Sequence, residues 1–536
     1  MFPALIVLMR SRDTTRFMSV RKILEPERNC WAISGVTESG LLVDGKDYYR
    51  AFYQAARNAE DYILISGWQF DSDVALLRGR DADGTAGSVQ FLTFLNDLCE
   101  QHQRLRIYIL AWDFTVLYSL DREWFQDWYF NWTTNERFTF CFDCCDCFGS
   151  AHHQKFVVID GKLAFVGGLD ICSGRWDDRD HPVDSPVRVN SDLNGYGPFH
   201  DIQSYHVGPA AQKLAELFAA RWKCVTSGEL QLPKSTSNYL LPFRPSVAIP
   251  ADSIAISRTQ VGAAGEQKPI QEIRRLFLDA IDAAEDLIYV ENQYFSSNAL
   301  YKALVDRMLD SRRSHLEIVL IIAKDAEAFV EQLSIGVVQE KLLRELQSVA
   351  AETGHSFGIY YPASVRGDGK ESATYIHSKL FLVDDRFLSV GSANMNNRSL
   401  GLDTELNVAW EAPAPDSEVS RAIRAARVDL LAEHVGGREA QVLENLSRRR
   451  GLVKYLNSLA DNGSYRLRHH PLDIVSEDYL WVTSVLPEGL PFDPEGPFYQ
   501  EDRYEGISAT EDSFFSRGVS NLKNWLMSLG QTLSPR

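Results

Sequence analysis

The chain has 536 residues, 45 % hydrophobic and 24 % charged, enough for two or more domains and a large core. Its formal net charge of −18 argues against a general nucleic-acid binder, which carries a basic stripe, and against a polybasic membrane tether. Eight cysteines at this length do not make a disulfide scaffold.

In chain order, the apolar run Phe2–Met9 lacks a basic flank ahead of it and is too short for a signal-peptide core with its cleavage site or for a membrane span. No other uncharged run reaches spanning length, so the expectation is a protein that is soluble or peripheral to a membrane. Tyr49, Phe52 and Ala56 recur at helical spacing, and Ala59–Ile65 then reads as a strand leading to Gln69-Phe70. Arg104–Leu110 reads as a buried strand. The segment Trp112–Trp132 is dense in aromatics interleaved with charges. It is read either as packing between layers or as a half-exposed grip on lipid. Cys141, Cys144, Cys145 and Cys147 have no partner cluster at zinc-site spacing and are expected to lie in a reduced loop.

His153-Gln154-Lys155, four residues and Asp160 then spell H-x-K-x-x-x-x-D, with Phe156–Ile159 as a strand. Gly167-Gly168-Leu169-Asp170 follows, then a polar stretch Arg175–Gly197 expected to be a surface loop, then Asp201-Ile202-Gln203. Ser227–Pro250 is rich in Ser and Pro and reads as a linker. The pattern then repeats. Ile273, Phe277 and Ile281 mark a helix, Ala284–Val290 a strand leading to Tyr294-Phe295, and His315–Ala323 a second strand. A loop Ser364–Thr374 precedes His377-Ser378-Lys379, a strand Leu380–Val383 and Asp384. Gly391-Ser392-Ala393-Asn394 and Glu405-Leu406-Asn407 follow. Past Gly436-Gly437 the tail belongs to neither copy. Its pattern Val519, Leu522, Trp525, Leu526, Leu529 is an amphipathic helix, expected to dock on the body or to anchor at an interface.

His153/His377, Asp160/Asp384 and Gly167/Gly391 are each 224 residues apart, and the preceding strands match at 225. A lone short motif arises by chance, whereas two copies with matched surroundings mark a duplication. Asp201 and Glu405 are 204 apart, so the first copy carries 20 extra residues, assigned to Arg175–Gly197. The expected organisation is an N-terminal segment 1–39, a first domain 40–228, a linker 229–262, a second domain 263–436 and a C-terminal extension 437–536. Strands alternating with helices imply an α/β layered fold in each copy.

On a strand, His and Lys two residues apart share one face. Two such faces would place two histidines and two lysines around one anion. For a phosphodiester held there, Lys155 and Lys379 supply positive charge without a metal. Ser392, Asn394 and backbone donors add hydrogen bonds. One histidine can attack phosphorus while the other protonates the departing oxygen, which in-line displacement requires on opposite sides. Asp201 and Glu405 are each expected to accept a hydrogen bond from a ring nitrogen. Asp160 and Asp384 end their strands and are expected to serve structure more than chemistry. No cofactor and no metal enter this reading.

These residues resemble the phospholipase D superfamily, defined by two H-x-K-x-x-x-x-D motifs, over most of residues 40–435. Several phrases resemble its phosphatidylcholine-cleaving branch: His152-His153-Gln154-Lys155, Phe165–Asp170, Gly174-Arg175-Trp176-Asp177, Tyr289–Phe295 and Gly391–Leu400. Phe199-His200-Asp201 resembles that branch's Trp-His-Asp element with Phe in place of Trp. The resemblance implies two αβα-sandwich domains with mixed sheets, pseudo-twofold, with the active site at their interface. It implies a phosphohistidine on His153, acid–base work by His377, and water or a primary alcohol as acceptor. Asp170, with Ser392 and Asn394, is expected to contact the phosphate or substrate. No segment resembles the lipid- or calcium-binding modules of larger members, so regulation by those modules is not expected. The alternatives are a cardiolipin-synthase-type phosphatidyltransferase, a nucleic-acid phosphodiesterase and a non-catalytic membrane or partner-binding module. A phospholipid substrate, peripheral membrane contact and no nucleic-acid partner are expected. The expected location is the cytoplasm or a membrane surface, with export by a specialised machine as the exception.

Overall fold

The computed structural model describes residues 21–113, 130–143, 150–233, 239–261, 269–325, 335–472 and 493–496. Strands of the first part are β1 (Ala32–Gly35), β2 (Glu38–Val43), β3 (Tyr62–Gly67), β4 (Arg106–Trp112), β5 (Phe138–Asp143), β6 (Phe156–Ile159), β7 (Leu163–Gly167), β8 (Phe199–His200), β9 (Ile202–Val207) and β10 (Val247–Ala248). Then come β11 (Ser253–Gln260), β12 (Ile270–Gln271), β13 (Leu287–Asn292), β14 (Glu317–Ile322), β15 (Ser356–Val365), β16 (Glu371–Ala373), β17 (Tyr375–Ile376), β18 (Leu380–Val383), β19 (Phe387–Gly391), β20 (Glu405–Glu411) and β21 (Leu467–His469). The helices used below are α1 (Asp44–Ala56), α2 (Phe91–Gln101), α3 (Pro209–Thr226), α4 (Glu272–Ala283), α5 (Asn298–Leu309), α6 (Val337–Thr353), α7 (Asn397–Gly401) and α8 (Glu418–Val435).

Two mixed sheets form. The first has the order β10-β2-β9-β7-β6-β3-β4-β5, the second β1-β11-β20-β19-β18-β13-β14-β15-β16. The runs β9-β7-β6-β3-β4-β5 and β20-β19-β18-β13-β14-β15 are the same unit made twice. In each unit three strands pair in parallel and the motif strand runs antiparallel to the first of them. The apolar strands Phe156–Ile159 and Leu380–Val383 are buried throughout because both faces of each sheet are covered.

Three clusters fill the layers. One packs α1 and α2 on the outer face of the first sheet, and one packs α4, α5 and α6 on the outer face of the second. The third joins the inner faces of both sheets with α3 and α8. The architecture is therefore the expected pair of αβα units with mixed sheets.

Several local expectations change. Strand β1 comes from the N-terminal segment yet pairs with β11 of the second sheet. Within Ser227–Pro250, read as a linker, β10 extends the first sheet and Ile249 is fully buried. The stretch Arg175–Gly197 is not simply a surface loop, since its Trp176, Asp177, His181 and Arg188 are buried. Its polar composition disguises an internal ion-pair network. Ser364–Thr374 carries a hairpin, with Ala363–Val365 paired to β16. Of Trp112–Trp132, residues 114–129 lie outside the described residues. At its ends Trp112 stacks on Trp68 and Phe130 packs on Phe138 and Phe140, whereas Trp132 is 78 % exposed. Phe2–Met9, Cys144, Cys145, Cys147 and the helix read at Val519–Leu529 also lie outside the described residues. Among the described residues, no helix is long and apolar enough to cross a membrane.

Candidate active site

Each H-x-K triplet lies just before its motif strand rather than within it, because its backbone turns away to pair with the other half. His153 N donates to Thr404 O at 2.9 Å, and His377 N donates to His200 O at 2.8 Å. Short parallel pairings fix both crossings: His152 with Thr404, and β17 with β8. Each histidine is thereby placed beside the residue that follows its partner, which is the acid of the opposite copy.

The consequence is a crosswise pair of contacts. His153 Nδ1 donates to Glu405, 3.0 Å from each carboxylate oxygen, and His377 Nδ1 donates to Asp201 Oδ2 at 2.6 Å. Both carboxylates are fully buried. A ring whose Nδ1 donates to a carboxylate keeps Nε2 free of a proton and aimed outward, the tautomer a nucleophile or base needs.

The small residues after each motif make room for these acids. A Cβ on Gly168 would sit 2.2 Å from Asp201 Oδ1. Ser392 occupies the matching position in the second copy, and its hydroxyl donates to Glu405 Oε2. Ser392 thus holds the acid rather than facing a ligand. The amides of the acid-x-amide phrases are used alike. Gln203 Oε1 accepts from Leu169 N at 3.3 Å and Asn407 Oδ1 from Ala393 N at 3.2 Å.

Lys155 Nζ lies 3.3 Å from Asp170 Oδ2, while Asp170 Oδ1 accepts from Trp68 N at 2.8 Å. Lys379 Nζ donates to Gln293 Oε1 at 3.2 Å and to the His377 carbonyl. Asn394 Nδ2 reaches the same Gln293 oxygen at 3.4 Å. Phe199 lies 5.4 Å from the His377 ring and stacks on Tyr375, with the Arg175 guanidinium 4.9 Å from its centroid. Asp160 and Asp384 stand apart from this group. Both have positive φ, 52° and 54°, a conformation aspartate tolerates in turns. Each turns its carboxylate back to accept three backbone N–H groups at 2.8–2.9 Å: residues 60–62 for Asp160 and 285–287 for Asp384.

Electrostatics tie both motifs to one centre. Burial holds His153 well below the usual imidazole range, and Lys155 and Lys379 push it further down. His377 is held well below that range by burial, then by Lys379, Arg175 and Lys155. Burial lowers Lys379 to about 7 and raises Glu405 to about 8 and Asp201 to about 6. Both imidazoles are neutral in this arrangement, beside a lysine from each copy.

The phospholipase D profile matches residues 55–345, more than half of the chain. The chain belongs to the phospholipase D family. A second profile, described as cardiolipin synthase, PLD-like domain, matches residues 277–426. The chain is 26 % identical over 465 residues to phospholipase D A of Dictyostelium discoideum, covering 74 % of this chain and 35 % of that protein. It is 27 % identical over 534 residues to phospholipase D alpha 2 of Oryza sativa subsp. japonica, covering 73 % of this chain and 64 % of that protein. The chain thus spans from about a third to just under two thirds of the length of these curated relatives. A phosphatidylserine synthase structure from Haemophilus influenzae Rd KW20 aligns with a TM-score of 0.47 at 13 % identity, covering 81 % of this chain and 95 % of that one.

Behind the histidines of this phospholipase D family member lies a buried tier, whose His200 and Glu291 stand out in the sequence as parts of family phrases with no role assigned to either. His200 Nε2 donates to Glu291 Oε2 at 2.9 Å, and Ser378 Oγ donates to the same oxygen at 2.9 Å. His434 Nε2 donates to Glu291 Oε1 at 3.0 Å. Glu291 therefore clamps the residue before Asp201 to the residue after His377. On its other side His200 Nδ1 is 2.9 Å from both Asp44 Oδ1 and Glu433 Oε1, and His181 Nε2 is 3.1 Å from Glu433 Oε1. Burial opposes the charge on His181, but Asp44, Asp177 and Glu433 outweigh it and raise this group to about 9. Asp44, His181, His200 and Glu433 each offer a ligand atom, all within 4.8 Å of one another, so these four could hold a cation where protons otherwise balance the carboxylates. The available signal was weak. Asp44 and Glu433 are single acids on helices, and His181 sits in a polar stretch.

Proposed function

We propose that the protein is a phospholipase D, hydrolysing glycerophospholipids to phosphatidic acid and free head group and transferring the phosphatidyl group to primary alcohols. The observation that carries this reading is the crosswise pair His153–Glu405 and His377–Asp201, with Lys155 and Lys379 beside it.

His153 Nε2 attacks phosphorus as the P–O bond to the head group breaks, and His377 gives its proton to the departing oxygen. The phosphatidyl group is then on His153. Water or an alcohol loses a proton to His377 and attacks phosphorus, and the P–N bond breaks to release product. Lys155 and Lys379 offset the charge on the non-bridging oxygens, with Asn394 and Gln293 nearby. The phosphodiester charge in turn counters the two lysines that depress His377, so the bound state favours its protonation. Asp201 and Glu405 hold ring orientation, Asp170 holds Lys155, and Ser392 holds Glu405. Asp160 and Asp384 fix the strands beneath. Residues 40–228 and 263–436 serve as the two catalytic halves. Contact with lipid is peripheral, with exposed Trp132 on the segment suited to it, and nucleic acid is not a partner.

The match of residues 277–426 to the cardiolipin-synthase profile favours one second reading, phosphatidyl transfer to another lipid's hydroxyl. The test is purified protein with phosphatidylcholine vesicles and a primary alcohol, with His153→Ala and His377→Ala as controls. Phosphatidic acid and the phosphatidyl-alcohol should form and disappear in both variants. Cardiolipin from phosphatidylglycerol, without either product, would favour the second reading. Silence on both lipids would refute the lipid assignment.

A further inference from the structure

The repeat shows a residue of the C-terminal extension doing in the second half what an internal residue does in the first. In the first half Asp71 N donates to Ile171 O at 3.2 Å, and in the second Ser296 N donates to Met395 O at 3.0 Å. These backbone bonds set Asp71 opposite Ser296 and the loop after Asp170 opposite the loop after Asn394. Asp71 Oδ2 accepts from Ser173 N at 2.6 Å, so its carboxylate clips the two loops at the end of the first sheet. Ser296 is fully buried and has no carboxylate to offer.

Asp493 fills that role from outside the repeat. Its Oδ2 accepts from Ser296 Oγ at 2.7 Å and its Oδ1 from Arg398 N at 2.7 Å, while its carbonyl accepts from Asn397 Nδ2 at 3.3 Å. The fit is close. A Cβ on Gly401 would lie 2.0 Å from Glu495 O, so the extension rests on the bare backbone of α7.

The clipped loops carry the site. One begins with Gln293, which accepts from Lys379, and the other with Asn394. The Arg398 side chain donates to Asp403, at 3.0 Å from Nε and 2.8 Å from Nη2, and Asp403 Oδ1 accepts from Ala151 N at 2.9 Å. Asp403 and Ala151 flank the crossing that seats His153 beside Glu405. Asp493 thus bears on the surroundings of Lys379 and, through Arg398, on those of His153.

We propose that Asp493 is a positioning residue for the catalytic centre, the C-terminal extension lending the second half the carboxylate that the first half holds at Asp71. This rests on the phospholipase D reading for its kinetic consequence but not for its structural one.

The test uses the full chain with three substitutions: Asp493→Ala, Asp493→Ala with Ser296→Asp, and Gly401→Ala. Ser296→Asp restores a carboxylate in cis, and Gly401→Ala lifts the extension without changing Asp493. On short-chain phosphatidylcholine, Asp493→Ala should lower kcat by roughly tenfold or more with little change in KM, the scale of hydrogen bonds to a charged group. Hydrogen exchange should quicken in peptides covering residues 293–301 and 394–404. Ser296→Asp should recover most of both effects, and Gly401→Ala should reproduce the loss. Unchanged kcat and exchange in Asp493→Ala, or no recovery by Ser296→Asp, would overturn the proposal. If wild-type protein turns over no lipid, the function reading fails, and the exchange pattern alone then supports or overturns the clip.

Discussion

Replacing Glu405 by glutamine removes the carboxylate that is ionised in the active form, its proton affinity having been raised to about 8 by burial, and leaves the shape of the buried site nearly intact. Glu405 receives His153 Nδ1 and the Ser392 hydroxyl, and it is fully buried, so no water replaces the lost charge. A hydrogen bond to a charged group contributes about 1.5–3 kcal/mol, and about 1.4 kcal/mol is a factor of ten in rate, so kcat should fall roughly 10- to 150-fold. KM should change little, because the carboxylate faces the ring and not the lipid. The assay is head-group release from short-chain phosphatidylcholine below its micelle concentration, which removes vesicle binding from the measurement. Asp201→Asn should give a loss of similar size, since His377 has the matching contact at 2.6 Å. A loss of less than about threefold in a folded Glu405→Gln protein would refute the argument that the opposite copy's acid prepares each histidine.

Three further outcomes are expected. The kcat/KM profile should be a narrow bell centred between about 7 and 8, falling at low pH as Glu405, raised to about 8 by burial, takes up a proton, and at high pH as Lys379, lowered to about 7, loses one. Because these values are inverted, only a minority of molecules hold the active form even at the maximum. Lys379→Arg should move the alkaline limb upward, and an unmoved limb would exclude Lys379 as its source. Asp160→Ala should lower unfolding free energy by about 1–3 kcal/mol in urea, because three strand-entry N–H groups lose a charged acceptor, while activity well below the melting temperature persists. A kinetic defect without a stability change would put Asp160 in the chemistry instead. His377→Ala should still release p-nitrophenol in a burst from phosphatidyl-p-nitrophenol, whose leaving group needs no proton, and then stall. His153→Ala should give no burst, and a burst there would reverse the two roles.

The motif strands, their repeat and the layered fold were legible because local patterns encode them. Alternating and continuous apolar runs mark strands, and a fixed offset of 224 residues marks the duplication. The acids Asp201 and Glu405 were legible from their place in that repeat, but which histidine each serves was not. His153 and Glu405 are 252 residues apart and His377 and Asp201 are 176 apart, and only the strand crossings bring them together. Ser392 was expected to face phosphate because hydroxyls commonly do, and its burial turns it to Glu405. Asp44, His181 and Glu433 gave only a weak signal, since a lone charged residue in a helix or polar stretch reads as surface until tertiary packing encloses it. Asp493 is a similar case. Its meaning comes from Ser296, which stands opposite Asp71 without a carboxylate, a relation visible only in the folded repeat.

The crossing of the two lead-in segments has a consequence for how such a molecule can be divided. Because each half contributes the imidazole to one pair and the carboxylate to the other, neither half expressed alone contains a finished catalytic pair. Two different inactivated chains, one lacking His153 and Glu405 and the other lacking His377 and Asp201, would each retain one intact pair yet complete no turnover. A single-copy ancestor with this geometry would have worked only as a twofold dimer, with every active centre shared between subunits. Joining two such copies in one chain would turn that assembly equilibrium into a folding step and would leave the two pairs free to differ, as Glu405 on one side and Asp201 on the other do here.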